Sequence, residues 1–208
     1  MISEYSAKDI ITQNRSPKLW KNSVVWINHK HHTYFVPIWR NASSSFLFNV
    51  AEQYGYKLVS LPRNESWTSS YIGYTFLRYP PKRFLGQIST LSEIYNYTIE
   101  ESMQWWLSGT IEDANRIRPE EAHEGHMKTQ CSFLEGLEHL PLCYIDADNI
   151  QPIGHEHIDN VLETLQNTKR YNDISKRKEE LNLQLKDYKS QIESYYLEDY
   201  KLFRENIK

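Results

Sequence analysis

The sequence predicts an α/β domain, a parallel sheet flanked by helices in three layers, and three observations carry that expectation. Strand-length segments rich in β-branched and aromatic residues, at 32–39, 57–61, 71–78 and 140–145, are separated by stretches whose apolar residues recur at helical spacing. Helix-capping residues stand at the joints between them. Strand, helix and strand in alternation imply right-handed crossovers between parallel strands.

Element by element, residues 1–30 read as a polar lead-in with one apolar segment, Ser23–Ile27. The first organised strand is His32–Trp39, and Arg40-Asn41-Ala42-Ser43-Ser44-Ser45 after it is a capping cluster. Leu47, Val50, Ala51 and Tyr54 then give a helix face, with Gly55 placed for a left-handed C-terminal cap and Lys57–Leu61 as the next strand. Tyr71–Arg78 is a third strand, and Pro80-Pro81 suits the first turn of a helix carrying Phe84, Leu85, Ile88 and Leu91 on one face. Thr98-Ile99-Glu100-Glu101 is a capping box opening a helix with Met103, Trp106 and Leu107. An acidic stretch, 112–124, precedes the strand Leu140–Ile145, and Ile158, Val161, Leu162 and Leu165 mark a further amphipathic helix. Residues 175–208 read as one long charged C-terminal helix with a stripe of Leu181, Leu185, Tyr188, Ile192 and Tyr195. That stripe suits packing on the domain, with self-association into a homodimer as the alternative. The whole, 1–208, is expected to be one domain.

Composition narrows the function classes. Lys and Arg total 24 against 27 Asp and Glu, a formal charge of −3, so no global basic field draws the protein to nucleic acid or an anionic membrane. No apolar run approaches the roughly 20 residues of a membrane span. The N-terminal residues lack the pattern of a secretory signal, so the sequons at Asn41, Asn64 and Asn96 are expected to be unmodified, and Cys131 and Cys143 to be reduced core thiols. A cytoplasmic setting is the expectation.

The most informative segment is the serine-rich turn between strand and helix. A helix start offers unpaired amides and the positive end of the dipole, three hydroxyls add donors and Arg40 adds charge, which together suit a phosphate-like anion. Plain helix capping by Ser43 or Ser44 explains the same residues equally well. A second basic site, Arg78-Tyr79-Pro80-Pro81-Lys82-Arg83, also sits where a strand ends and a helix starts, and its arginines have the planar donors a phosphate accepts. The carboxyl ends of neighbouring parallel strands face one crevice, so the two sites can grip two phosphates of one ligand. Neither a Gly-x-x-x-x-Gly-Lys-Ser/Thr loop nor a glycine-rich dinucleotide fingerprint occurs. His29, His31 and His32 lack a cysteine or carboxylate at ligand spacing and read as a surface cluster ahead of the first strand, so no metal site is expected.

Taken together these residues resemble the sulfotransferases that use 3′-phosphoadenosine-5′-phosphosulfate (PAPS), particularly the carbohydrate branch. Trp39-Arg40-Asn41-Ala42-Ser43-Ser44-Ser45 is similar to that family's Pro-Lys-Asn-Ala-Ser-Ser-Ser-like loop for the 5′-phosphosulfate. Arg78-Tyr79-Pro80-Pro81-Lys82-Arg83-Phe84-Leu85-Gly86 is similar to its Arg-Asp-Pro-x-x-Arg-x-x-Ser-like element for the 3′-phosphate. Weaker likenesses follow: His126–Gln130 to a His-x-x-Pro-Gln segment, and Tyr196–Phe203 to a terminal Tyr-x-x-Asp-Tyr-x-x-Phe helix. Order and spacing agree from about Tyr34 to Phe203. Three departures stand out: Arg40 replaces a lysine, Tyr79 an aspartate and Gly86 a serine, with Ser89 a turn further on as a substitute hydroxyl.

The resemblance implies a P-loop-NTPase-like sulfotransferase fold and metal-free transfer of a sulfuryl group from PAPS to an acceptor hydroxyl, leaving adenosine 3′,5′-bisphosphate. Arg40 and Asn41, Ala42, Ser43, Ser44 and Ser45 then hold the phosphosulfate, Arg78 and Arg83 the 3′-phosphate, and His126 is the candidate general base, with His123, Glu121 and Glu124 as competitors. The acceptor expected is a glycan or another small hydroxylated molecule, with Trp67, Trp105 and Trp106 as candidate surfaces for sugar rings. Without the membrane anchor usual in animal members, a microbial or viral relative is expected. The rival readings are a nucleotide-binding protein of the same fold with impaired catalysis, a phosphotransferase, and a helical interaction module built on the C-terminal segment.

Overall fold

Side chains alternate across a strand, so the two faces of a sheet can be read from which residues pack together. In the computed structural model, which describes residues 4–8, 24–38, 41–60, 70–95, 97–108, 129–137, 140–168 and 185–207, six strands form one sheet. In chain order the elements are β1 (Glu4–Ser6), β2 (Val24–Asn28), β3 (Thr33–Val36), α1 (Ser43–Phe46, widening into a π-helical turn over Leu47–Ala51), β4 (Lys57–Ser60) and β5 (Ile72–Leu77). Then come α2 (Pro80–Tyr95), α3 (Ile99–Ser108), α4 (Gln130–Leu134), β6 (Leu142–Asp146), α5 (Glu156–Asn167), a 3-10 turn (Lys186–Tyr188), α6 (Lys189–Tyr195) and α7 (Leu197–Asn206).

The sheet order is β1-β4-β2-β3-β5-β6. β3, β5 and β6 pair in parallel, whereas β2 runs antiparallel to both β3 and β4, and β1 antiparallel to β4. Four strands, β3, β4, β5 and β6, therefore point the same way, in a mixed sheet rather than the wholly parallel one expected. The cause is β2. Residues 29–32 make a tight turn that folds Val24–Asn28 back onto β3, and all five β2 residues are buried. β3 and β4, joined through α1, share a direction but have β2 between them. Part of the supposed lead-in is thus interior sheet, and the His29, His31 and His32 cluster lies in a hairpin turn, not ahead of the first strand.

Val24, Trp26, Phe35, Tyr74 and Phe76 meet Phe46 and Val50 of the α1 segment and Ile158, Val161, Leu162 and Leu165 of α5 on one face. Burying each such side chain contributes roughly 1.5–3 kcal/mol. On the opposite face Val25, Ile27, Tyr34, Val36 and Leu77 meet Leu134 of α4 and the α7 residues Leu202 and Phe203. A third cluster joins Phe84, Leu85 and Ile88 of α2, Met103 and Trp106 of α3, Ile192 of α6 and Tyr196.

Local signals account for most boundaries. The Thr98 amide donates to Glu101 Oε2 at 2.7 Å and the Glu101 amide to Thr98 Oγ1 at 3.1 Å, the reciprocal bonds of a capping box. Gly55 has φ +73°, and the Tyr56 amide returns to Ala51 O at 2.7 Å, closing the helix before β4. The C-terminal segment departs from expectation. Tyr196, with φ −98° and ψ 20°, breaks it into α6 and α7, so the described part is two short helices packed on the domain through Leu185, Ile192, Tyr196 and Asp199. Cys131 and Cys143 are free thiols, but neither is a core residue as expected: Cys131 is half-buried and Cys143 exposed. Among the described residues no helix is long and apolar enough to cross a membrane.

Candidate functional site

Parallel pairing of β3 with β5, in the register Val36 opposite Thr75, sends both strands out of the same sheet edge. The serine-rich turn leaves β3 there and Arg78 leaves β5 there. The main chain turns at Asn41, whose amide donates to Ile38 O at 3.1 Å, and at Ala42, which has φ +63° and ψ 7°. A left-handed conformation costs an alanine roughly 1–2 kcal/mol. It leaves α1 starting from Ala42 with no side-chain cap, so capping by Ser43 or Ser44 is not what these residues do. The first helical bond runs from the Phe46 amide to Ala42 O at 2.9 Å. The amides of Ser43, Ser44 and Ser45 precede it, where a helix start has donors to offer. Ser43 is buried, Ser45 half-buried and Ser44 exposed.

Asn41 joins the two strand ends. Its side chain is fully buried, and Nδ2 donates to Phe76 O at 2.8 Å and to Gln130 Oε1. Gln130 in turn clamps the main chain of Arg78: the Arg78 amide donates to Gln130 Oε1 at 2.9 Å, and Gln130 Nε2 donates to Arg78 O at 2.9 Å. Asp199 of α7 holds Gln130 from behind, Oδ2 accepting from the Gln130 amide at 2.7 Å and Oδ1 from the Cys131 amide at 2.9 Å. With Thr129 Oγ1 accepting from the Ser132 amide, the start of α4 is fully capped. Four segments, distant in sequence, meet in this network.

Charge is arranged at two depths. Arg78, 21% exposed, and Lys82, 46% exposed, both face Asp148 just after β6, with Nε to Oδ1 at 3.4 Å and Nζ to Oδ2 at 3.6 Å. Arg83 is enclosed, 0% exposed, with its guanidinium carbon 5.9 Å from the centre of the Phe133 ring. Burial pulls its pKa down, against the opposing pull of the Tyr196 and Asp199 side chains. Arg83 is therefore enclosed in the interior instead of being open to a ligand at the strand ends, as the resemblance had implied. Burial, with Asp199 next to it, pushes the Cys131 thiol up to about 12, away from the thiolate form that attacks as a nucleophile.

The departures from the family pattern have physical settings here. Tyr79, 40% exposed, sets its ring edge-on to Tyr200 and Phe203 at centroid distances of 5.7 and 5.8 Å, packing the second basic turn against α7. At Gly86 no described atom lies within 4 Å of a Cβ placed on the backbone. Ser89 is buried on the same helix. Arg40 and His126, with His123, Glu121, Glu124 and Trp67, lie outside the described residues. Trp106 is largely buried in the α2–α3–α6 cluster, and what remains open of it lines a pocket with Ser190, Gln191, Ser194 and Tyr195. Asn41 is buried too, so its sequon is not a surface acceptor for a glycan.

Of the residues singled out from sequence, Asn41, Ala42, Ser43, Ser44, Ser45 and Arg78 come together at one sheet edge, with Arg83 behind them. Sequence reasoning missed the junction role of Gln130, the anchoring role of Asp199 and the carboxylate of Asp148. The first two stood inside the weaker motif likenesses, whereas Asp148 read only as part of the Asp146-Ala147-Asp148-Asn149 segment that closes a strand. Among the described residues no three metal-ligating side chains cluster. Comparison of the chain with family models, curated proteins and solved structures finds no match.

Proposed function

We propose that this chain is a PAPS-dependent sulfotransferase of P-loop-like fold, acting on a hydroxylated acceptor such as a glycan. One observation carries the reading: Asn41 and Gln130 tie the serine-rich turn to Arg78, so the two strand ends that this reading assigns to phosphates share one edge. The chemistry of the donor set fits a doubly phosphorylated adenosine, with an uncapped helix start at one end and Arg78 and Lys82 at the other. When bound, the donor supplies an activated sulfuryl group for in-line attack. The amides of Ser43, Ser44 and Ser45 and the Arg40 side chain would hold its 5′ end and stabilise charge growing on the bridging oxygen. Arg78 would receive the 3′-phosphate in exchange for Asp148, and Arg83 would add a fixed positive charge beneath it. His126 would take the proton of the acceptor hydroxyl.

Titration calorimetry with adenosine 3′,5′-bisphosphate and with ATP tests this directly. Clear preference for the bisphosphate is expected, with Arg78→Ala weakening it by roughly 1.5–3 kcal/mol, the range for hydrogen bonds to charged groups. Absence of binding would remove the reading, and equal affinity for ATP would favour a phosphotransferase. Transfer of labelled sulfate to glycans, phenols and amines then separates an active enzyme from a nucleotide-binding relative. That second reading draws on the ion pair that already occupies Arg78.

A further inference from the structure

We propose that Asp199 is a positioning residue of this crevice: through Gln130 it fixes the corners at Arg78 and Asn41, so docking of α7 and ligand binding are coupled. The functional half rests on the reading above, while the structural half stands without it. Asp199 and Gln130 are both fully buried, 69 residues apart in sequence, and meet through a charge-assisted bond from the Gln130 amide. A second bond, from the Cys131 amide, fixes the carboxylate in rotation. Gln130 is held at both ends: its side chain is spent on Arg78 and Asn41, and its main-chain amide is received by Asp199 of α7. Loss of the carboxylate frees the start of α4 and lets the Gln130 amide drift from both strand ends. Because binding free energies are reciprocal, a ligand that needs those corners fixed must also tighten α7.

The tests separate positioning from mere stability. Asp199→Asn keeps shape but replaces one acceptor oxygen with a donor facing a backbone amide. Ile192→Ala, in α6 and away from Gln130, destabilises the same segment without touching the network. Asp199→Asn is expected to weaken adenosine 3′,5′-bisphosphate about tenfold or more, with Ile192→Ala changing it less than about twofold at matched stability. Equal affinities in the two variants, in a wild type that binds, overturn the proposal. If the wild type binds no bisphosphate, the functional reading fails and hydrogen exchange still decides the structural half. In the wild type the amides of Arg78, Gln130 and Cys131 should open together with those of α7, with the same free energy and denaturant dependence. Opening of α7 that leaves the three protected overturns it, and this measurement needs no variant to fold.

Discussion

Replacing Asn41 by aspartate changes one NH₂ group into an oxygen and almost nothing in shape, so the cost isolates what that group does. Nδ2 donates to Phe76 O and Gln130 Oε1 in a fully buried position. An ionised carboxylate would face two acceptors with no donor of its own. The cheapest escape is protonation. Holding a carboxyl neutral at pH 7 against an ordinary pKa of about 3.9 costs about 4 kcal/mol, at about 1.4 kcal/mol per pH unit. The proton restores only one of the two bonds, so about 4 kcal/mol is the least loss expected at pH 7. The sign with pH is distinctive. A folded-state pKa raised above the unfolded value means the folded state binds more protons, so the variant loses stability as pH rises and regains it as pH falls. Urea denaturation of wild type and Asn41→Asp should give a difference of at least about 4 kcal/mol at pH 7, narrowing by about 2–3 kcal/mol at pH 5. A pH-independent difference below about 1 kcal/mol would refute the role of Asn41 as a buried donor between strand ends.

Three other outcomes follow from separate parts of the molecule. His157 stacks on His31 at 3.8 Å between ring centres, and burial, then the nearby charges of His31, His155 and Lys30, pull its pKa from 6.5 to about 4. The unfolded chain then binds the extra proton between those values, so this contribution is complete above about pH 6.5 and lost as pH falls toward 4. The span caps it at about 3 kcal/mol, and the exposed partner ring cuts that to about 1–2. Denaturation across that range should show the loss in wild type and not in His157→Phe; equal slopes in the two would exclude it. At Gly73 a Cβ would lie 2.1 Å from Tyr34 Cζ, and the Tyr34 ring cannot retreat while its hydroxyl donates to Pro141 O at 2.9 Å. Gly73→Ala should therefore cost about 2–3 kcal/mol in thermal or urea unfolding, and a loss under about 1 kcal/mol would show that the ring moves freely. Asp148→Asn removes the carboxylate facing Arg78 and Lys82, and should tighten adenosine 3′,5′-bisphosphate roughly threefold by calorimetry, the small effect expected of partly exposed charges. Weaker binding would mean that Asp148 aims Arg78 at the ligand instead of competing with it.

How legible the fold was depended on how local each cause is. The capping box at Thr98 and Glu101, the left-handed Gly55 and the apolar face of α5 are written within a few neighbouring residues, and the structure has them as the sequence predicts. The position of β2 is not local. Val24–Asn28 reads as an apolar segment wherever it lies, and only its pairing with both β3 and β4 makes it interior sheet and the sheet mixed. The same holds for the C-terminal helices. The periodicity of Ile192 and Tyr195 continues smoothly in sequence, but burying Tyr196, whose hydroxyl donates to Gln87 Oε1 at 2.8 Å, goes with a backbone break that periodicity does not contain. Arg83 was legible as a cation and not as a buried one, because its enclosure is made by Phe133, Tyr196 and Asp199 from two remote segments.

The weight of the crevice comes from how its parts depend on one another. A serine-rich turn, a basic turn, a glutamine and an aspartate each arise often by chance, and each alone has a plain structural explanation. A single buried amide, Gln130, however, satisfies the main chain of the second element and receives the side chain of the first, while the fourth element satisfies its own main chain. Buried polar networks of this kind are costly if any member is wrong, since an unpaired group in the interior forfeits its hydration without return. Replacing any one of Asn41, Gln130 or Asp199 therefore strands the others, and energies measured for pairs should fall well short of the sum of the single losses. A core built only for stability would be as well served by apolar side chains of similar volume. What the polar version adds is direction: it fixes where two strand ends point, and those ends carry the uncapped amides and the half-buried Arg78.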